Sequence, residues 1–254
     1  MAISRLCVAL ACRVALVCSA LLISAGRPAW AGSEDGVEIG TAISIKPIVT
    51  ATLGDDKHAL REGGRIRRSE YLETGPDGRA ELKLDDETKL ALGPNAALRL
   101  DEFVVGPAAG GKSVGLNFVK GTFRFITGTQ KSESYSLETP SATIGVRGTV
   151  FDIYVDDNGD TLVLLHEGKV EICSRTRSCR QHDAIGRLVH ASVAGVLSAP
   201  MKFTKGIIPG LSAGKAFPFL GRSLRIDPIR RLTPSGIMEG PATIERTFRK
   251  VLPF

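Results

Sequence analysis

No stretch of this 254-residue chain reaches 18 consecutive apolar positions, so no segment is long enough to cross a ~30 Å hydrocarbon layer as a helix. No G-x-S-x-G occurs, and no Ser or Cys has an evident base partner, which removes the usual nucleophilic hydrolases. Histidine is scarce. His58, His166, His182 and His190 are scattered without ligand spacing, so they are expected at the surface or at strand edges. His166-Glu167 opens like a zinc-protease motif but continues Gly168-Lys169, with no second His four positions on. Cysteine is nearly absent beyond the first 18 residues, where only Cys173 and Cys179 remain of five. No catalytic residue, metal site or cofactor is therefore expected. Charged residues at 24% and hydrophobic residues at 43% are ordinary for a folded protein and exclude wholesale disorder.

The first 31 residues read as an address. Arg5 and Arg13 make a positive start, residues 14–25 (VALVCSALLISA) form a 12-residue apolar run, and Ala29-Trp30-Ala31 ends in small residues. This is the pattern of a secretory signal peptide, with cleavage expected between Ala31 and Gly32. Twelve helical residues span only about 18 Å, too short for a membrane anchor. Removing the leader takes away Arg5, Arg13 and Arg27 and no acid. The overall +6 becomes +3, with 30 bases against 27 acids. The expected location is the periplasm or the medium of a bacterium, with no transmembrane helix in the mature chain. Two cysteines in an exported chain fit one disulfide, Cys173 to Cys179, stapling the turn after the strand at residues 169–172.

Between residues 37 and 183 the sequence alternates. Leu82 and Leu84 face opposite to Glu81 and Lys83; Leu90 with Leu92 and Leu98 with Leu100 repeat the pattern. Leu116 and Phe118, Phe123 and Phe125 about Arg124, and Phe151, Ile153 and Val155 about Asp152 and Tyr154 continue it. Period-two alternation gives a strand one buried and one wet face. Gly75-Pro76-Asp77-Gly78, Gly93-Pro94-Asn95 and Asp157-Asn158-Gly159-Asp160 supply turns about every ten residues. The fold expected is all-β: short antiparallel or solenoid-like strands in a flattened roll or sandwich. The acidic tip at residues 156–160 lacks the twelve-residue loop and closing Glu of a calcium site, so it is read as a solvated hairpin.

Residues 184–254 differ. From 198 onward ten bases face three acids, and Pro209, Pro218, Pro228, Pro234 and Pro241 interrupt the stretch. No long strand or helix fits there, and the expectation is a poorly ordered basic extension. The basic excess of the chain sits in this tail, so it gives no ground for nucleic-acid binding by the β domain.

Residues 139–151 (TPSATIGVRGTVF) resemble the signature of the FecR domain, a periplasmic module; Thr139, Pro140, Ala142, Gly145, Val146, Arg147, Gly148, Thr149 and Phe151 carry the likeness. Residues 161–172 (TLVLLHEGKVEI) and the turns at 74–82 and 92–95 extend it. The resemblance covers about residues 40–180. It implies an exported β-rich interaction module. Well-known members are transmembrane regulators that relay signals from outer-membrane iron transporters to a sigma factor; here a leader stands in place of their cytoplasmic segment and membrane helix, so the relay is not carried over. Gly145 and Gly148 flank Val146 and Arg147 and permit a sharp bend or bulge. Arg147 is expected to cap nearby carbonyls, with donation to a partner as the alternative.

One further match is rejected on context. Gly106-Pro-Ala-Ala-Gly-Gly-Lys-Ser113 fits the phosphate-loop pattern, but residues 113–119 alternate as a strand where a helix N-terminus is required. The functional expectation is a non-enzymatic envelope module in sensing or signal regulation, with a protein partner. The alternative is a structural or wall-associated scaffold whose basic tail contacts anionic polymer or lipid.

Overall fold

The computed structural model describes residues 36–100, 114–128, 135–229 and 231–238. The leader with its Ala31–Gly32 junction and the phosphate-loop look-alike at 106–113 lie outside the described residues. Fourteen strands account for most of what is described: β1 (Glu38–Lys46), β2 (Val49–Leu53), β3 (Asp56–Leu60), β4 (Arg65–Arg67), β5 (Tyr71–Thr74), β6 (Arg79–Leu84), β7 (Lys89–Leu92), β8 (Ala97–Arg99), β9 (Val114–Ile126), β10 (Tyr135–Glu138), β11 (Ala142–Val155), β12 (Thr161–Ser174), β13 (Cys179–His182) and β14 (Leu188–Ala191). Two four-residue helices follow, α1 (Ala213–Ala216) and α2 (Pro234–Ile237). The fold is all-β, as the alternation predicts. No helix among the described residues is long and apolar enough to cross a membrane.

The strands form one continuous sheet in the order β13-β12-β11-β10-β9-β7-β6-β1-β4. A second arm, β3-β2-β5-β8, joins it at β9, and β14 joins at β12. The junction is physical. The first half of β9 pairs with β8 and, in parallel, with β10; its second half pairs with β7 and β11. The switch falls at Gly121, whose φ is +93° and where a Cβ would overlap the Cα of Ala96. Only glycine lets the two arms approach there.

Both arms turn their apolar faces to one core. Leu82, Leu84, Leu90, Leu92, Leu98, Leu116, Phe118, Phe123, Phe125, Phe151 and Ile153 are all buried in it, as the period-two pattern predicts. Phe118 packs on Phe123 at 4.7 Å between centroids, and Phe125 on Phe151 at 5.3 Å, distances typical of aromatic pairs.

The bend predicted in the FecR-like string is present, but its glycines are paired differently. The register of β11 against β12 shifts between Arg147 and Val150, around Gly148 at φ +59°. Gly145 sits in the regular ladder opposite Glu171 and Ser136. The second glycine of the bulge is Gly168 across the hairpin, at φ +79°, where a Cβ would overlap the Gly148 carbonyl oxygen. Gly168→Ala is therefore expected to cost about 2–4 kcal/mol, from the left-handed backbone and the overlap together. Gly145→Ala should change stability by no more than about 1 kcal/mol, since its nearest neighbour would be an ordinary 3.9 Å away. Urea unfolding of the two variants distinguishes the bulge from the ladder; equal losses would refute the assignment. The Arg147 backbone lies in β11, and its side chain is outside what is described.

The expected extension is corrected by the structure. β14 pairs with β12, so the sheet continues beyond residue 183. Residues 201–229 and 231–238 lie on the outer face of the sheet: Phe203, Ile208, Ala216, Phe217, Leu220 and Ile237 pack with Leu162, Leu164 and Leu188 into a second apolar cluster. Phe219 and Ile226 make a third with Ala91. Prolines and glycines forbid long regular elements, and none forms among the described residues. They do not forbid burial, and the apolar side chains between them supply it.

Candidate functional site

Arg124, near the C-terminal end of β9, belongs by alternation to the wet face. Asp152 lies directly opposite it on β11. Sequence periodicity assigns both to solvent, yet both side chains are completely buried. The Arg124 guanidinium donates from Nε to Asp152 at 2.7 Å and from Nη2 at 2.9 Å, a bidentate pair. His166 on β12 brings its Nε2 within 3.0 Å of the same carboxylate and 3.2 Å of Arg124 Nη2. The cover is the C-terminal segment. Its Asp227 accepts from Arg124 Nη1 at 3.5 Å, and the ring of Phe219 lies 5.7 Å from the guanidinium carbon. Arg231 then ties the outside, donating to Asp227 at 3.1 Å and to Glu167 at 2.6 Å.

The electrostatics follow from this enclosure. Burial alone would push the Asp152 carboxyl up, but attraction to the His166 imidazole and the Arg124 guanidinium, with their hydrogen bonds, lowers it to about 2. Burial likewise works against the Arg124 charge, and Asp152 and Asp227 more than restore it, so its pKa is raised. Apart from Nδ1 of His166, the side-chain polar groups of Arg124, Asp152, His166 and Asp227 have partners within the protein. The cluster fastens the tail to the sheet.

Two of the four histidines depart from expectation. His166 is sealed in this cluster. His182 is also buried, with Nε2 3.1 Å from the Arg187 carbonyl oxygen, and burial lowers its pKa. His58 and His190 remain partly exposed; His190 Nε2 lies 2.9 Å from Asp160. The signal that betrays the covered face is Leu162-Val163-Leu164-Leu165 in β12. Four apolar residues in a row mean burial on both sides, with Val163 and Leu165 in the main core and Leu162 and Leu164 beneath the tail.

The remaining predicted residues hold turns and strand ends. Thr139 accepts from the Ala142 amide at 3.0 Å and from the Thr161 hydroxyl at 3.0 Å, and Ser141 donates to Thr161 at 2.8 Å. Pro140 offers its carbonyl to Arg175 at 3.0 Å. Val146 and Phe151 are buried, and the Thr149 amide donates to Thr127 at 2.9 Å. The hairpin tip is held by Asp156, which accepts from the amides of Asn158 and Asp160 at 2.9 and 2.8 Å. Among the described residues no group of three or more His, Cys, Asp or Glu is placed to hold a metal ion. Thr74 joins the two Pro-containing turns, donating to Gly93 at 2.7 Å and accepting from the Ala96 amide at 2.8 Å.

Cys173 and Cys179 form a disulfide across the β12–β13 pair. Replacing both by Ser is expected to cost about 2 kcal/mol, the closure entropy of so short a loop. Urea denaturation checks this; an unchanged midpoint would mean that the reduced hairpin is equally constrained.

A sheet that branches at a glycine, with its second face closed by a short-helix cover, defines a structural class of all-β module. The family is more specific. The model of the family described as FecR protein matches residues 70–171, in agreement with the resemblance carried by residues 139–151 and 161–172. No curated protein matches the chain. Among solved structures, two crystal structures of a proposed anti-sigma factor from Parabacteroides distasonis ATCC 8503 are similar, each at 15% identity and a TM-score of 0.41. The match covers 50% of this chain and 57% of that one.

Proposed function

We propose that this chain is an exported, non-enzymatic FecR-domain protein that binds a protein partner in the bacterial envelope as part of signal regulation. The observation that carries the reading is the FecR match over residues 70–171. The sealed cluster supports it: the completely buried titratable side chains Arg124, Asp152 and His166 are spent on holding the fold. Export to the periplasm or medium rests on the leader at residues 1–31 and agrees with the Cys173–Cys179 bridge. For the alternative, a scaffold held by a basic tail, Arg225 and Arg231 are engaged with Glu62, Glu167 and Asp227, so such contact would fall to other bases of the tail.

The test expresses the full chain in a Gram-negative host, fractionates the cells and crosslinks in the intact envelope. The expected result is mature protein beginning at Gly32 in the periplasm or medium, crosslinked to one discrete protein species that persists in 0.5 M salt, where the Debye length falls to about 4 Å. Full-length protein retained in the cytosol, or association only with anionic polymer that salt abolishes, would overturn it.

A further inference from the structure

Folding the tail onto the sheet creates two adjoining recesses, of about 450 and 510 Å³, that share Arg79 and Arg222 as lining residues. We propose that they form a binding site for a phosphate-bearing saccharide, its phosphate held between Arg79 and Arg222 and its sugar in the larger recess.

The first argument is charge. The β1–β6 register sets Lys46 directly opposite Arg79. Like charges so placed are destabilising. The tail adds Arg222 to the same wall, and Lys215 to the larger recess. Among the described residues none of these four cations has a carboxylate partner. Glu81, the acid of the smaller recess, is engaged by the Ile226 amide at 2.9 Å. Asp157 is the acid lining the larger one, against three cations. Each recess therefore has a net positive lining, and the arrangement is repulsive until an anion enters it. A guanidinium presents parallel N–H donors that match two phosphate oxygens, so the shared arginines favour phosphate at the junction.

The second argument is shape. The larger recess is walled by Tyr154, Pro76, Pro94 and Pro218, with Asn95 among them. Flat apolar surfaces with a few polar groups suit the faces and hydroxyls of a sugar ring, and the volume lies within the range of small-molecule sites, about 300–1,000 Å³. Pro76, Pro94 and Asn95 belong to the two turns that Thr74 ties together, so this wall is fixed by hydrogen bonds rather than left to loop motion. The opposite wall, Lys215 to Arg222, is fixed by α1, where Thr122 donates to the Ala216 carbonyl at 3.0 Å. Neither the FecR portion nor the tail has the site alone.

The experiment is isothermal titration of the purified full chain with glucose 1-phosphate, inorganic phosphate and glucose, and sedimentation with phosphatidylglycerol vesicles. Glucose 1-phosphate is expected to bind more tightly than inorganic phosphate, more weakly as salt rises, and glucose not at all. Arg79→Gln and Arg222→Gln should each raise the Kd about tenfold, the loss of a charge-assisted hydrogen bond, with the melting temperature unchanged because both side chains are exposed. Arg222→Lys, which keeps the charge and loses the fork, should fall between. No binding of glucose 1-phosphate at millimolar concentration, equal affinity in the Gln variants, or binding to vesicles alone would overturn the proposal. The same Gln variants, carried through envelope crosslinking, keep the two readings apart: a retained protein partner with no sugar-phosphate binding sinks only this one.

Discussion

A chain ended at Pro200 is expected to lose its cooperative melt and to aggregate or bind a hydrophobic dye, although residues 70–171, which the FecR model matches, are left whole. The cut removes Phe203, Ile208, Phe217, Leu220 and Ile237, each buried. At about 1.5–3 kcal/mol for each such side chain, the lost burial rivals the 5–15 kcal/mol by which a typical domain is stable. It also uncovers Leu162, Leu164 and Leu188 as an apolar patch on a sheet. Circular dichroism melts and size exclusion decide the matter. A soluble monomer with the melting temperature of the full chain would show the cover to be dispensable. Deletion confounds anchoring with unfolding, so the tail's charge must be tested by substitution at an exposed position such as Lys205.

Asp152→Ala is the most damaging single change expected. It leaves the Arg124 guanidinium buried without the carboxylate that accepts two of its hydrogen bonds. Breaking a buried pair from one side costs about 3–5 kcal/mol, roughly 10–15 °C in melting temperature for a domain near 200 residues. Arg124→Met with Asp152→Leu removes both charges and should cost less than the sum of the single changes, because no orphaned ion remains. Additive losses in that double-mutant cycle would show that the pair is not energetically coupled.

The same carboxylate sets an acid limit. Its folded pKa is lowered to about 2 from an ordinary 3.8, so the unfolded chain binds the proton more readily. The stabilisation, about 2 kcal/mol, is complete above pH 4 and drains away as pH falls through 2. Urea midpoints should therefore drop over that window in the native chain. In Asp152→Asn this part of the drop should vanish.

Much of the fold is legible in the sequence because strand alternation is a local property. Leu82 and Leu84, Phe123 and Phe125, Phe151 and Ile153 announce their inward face from spacing alone, and the Asn158-Gly159 turn announces its hairpin. The buried cluster is not legible in that way. Arg124 and Asp152 alternate as wet-face residues, and only the unbroken run Leu162–Leu165 hints that the second face is covered. The cover itself is irregular, and periodicity has no purchase on a segment whose helices, among the described residues, have four residues each.

The amino-acid sequence by itself determined the strands, the turns, the disulfide pair and the FecR resemblance, since each depends on residues close together along the chain. Only the tertiary structure decided that Arg124, Asp152 and His166 are sealed rather than solvated, that the basic tail is a cover, and that Arg79 and Arg222, 143 positions apart in sequence, line the same recess. Contact between distant segments is set by which apolar faces remain to be hidden once the strands have formed, and no local pattern records that outcome.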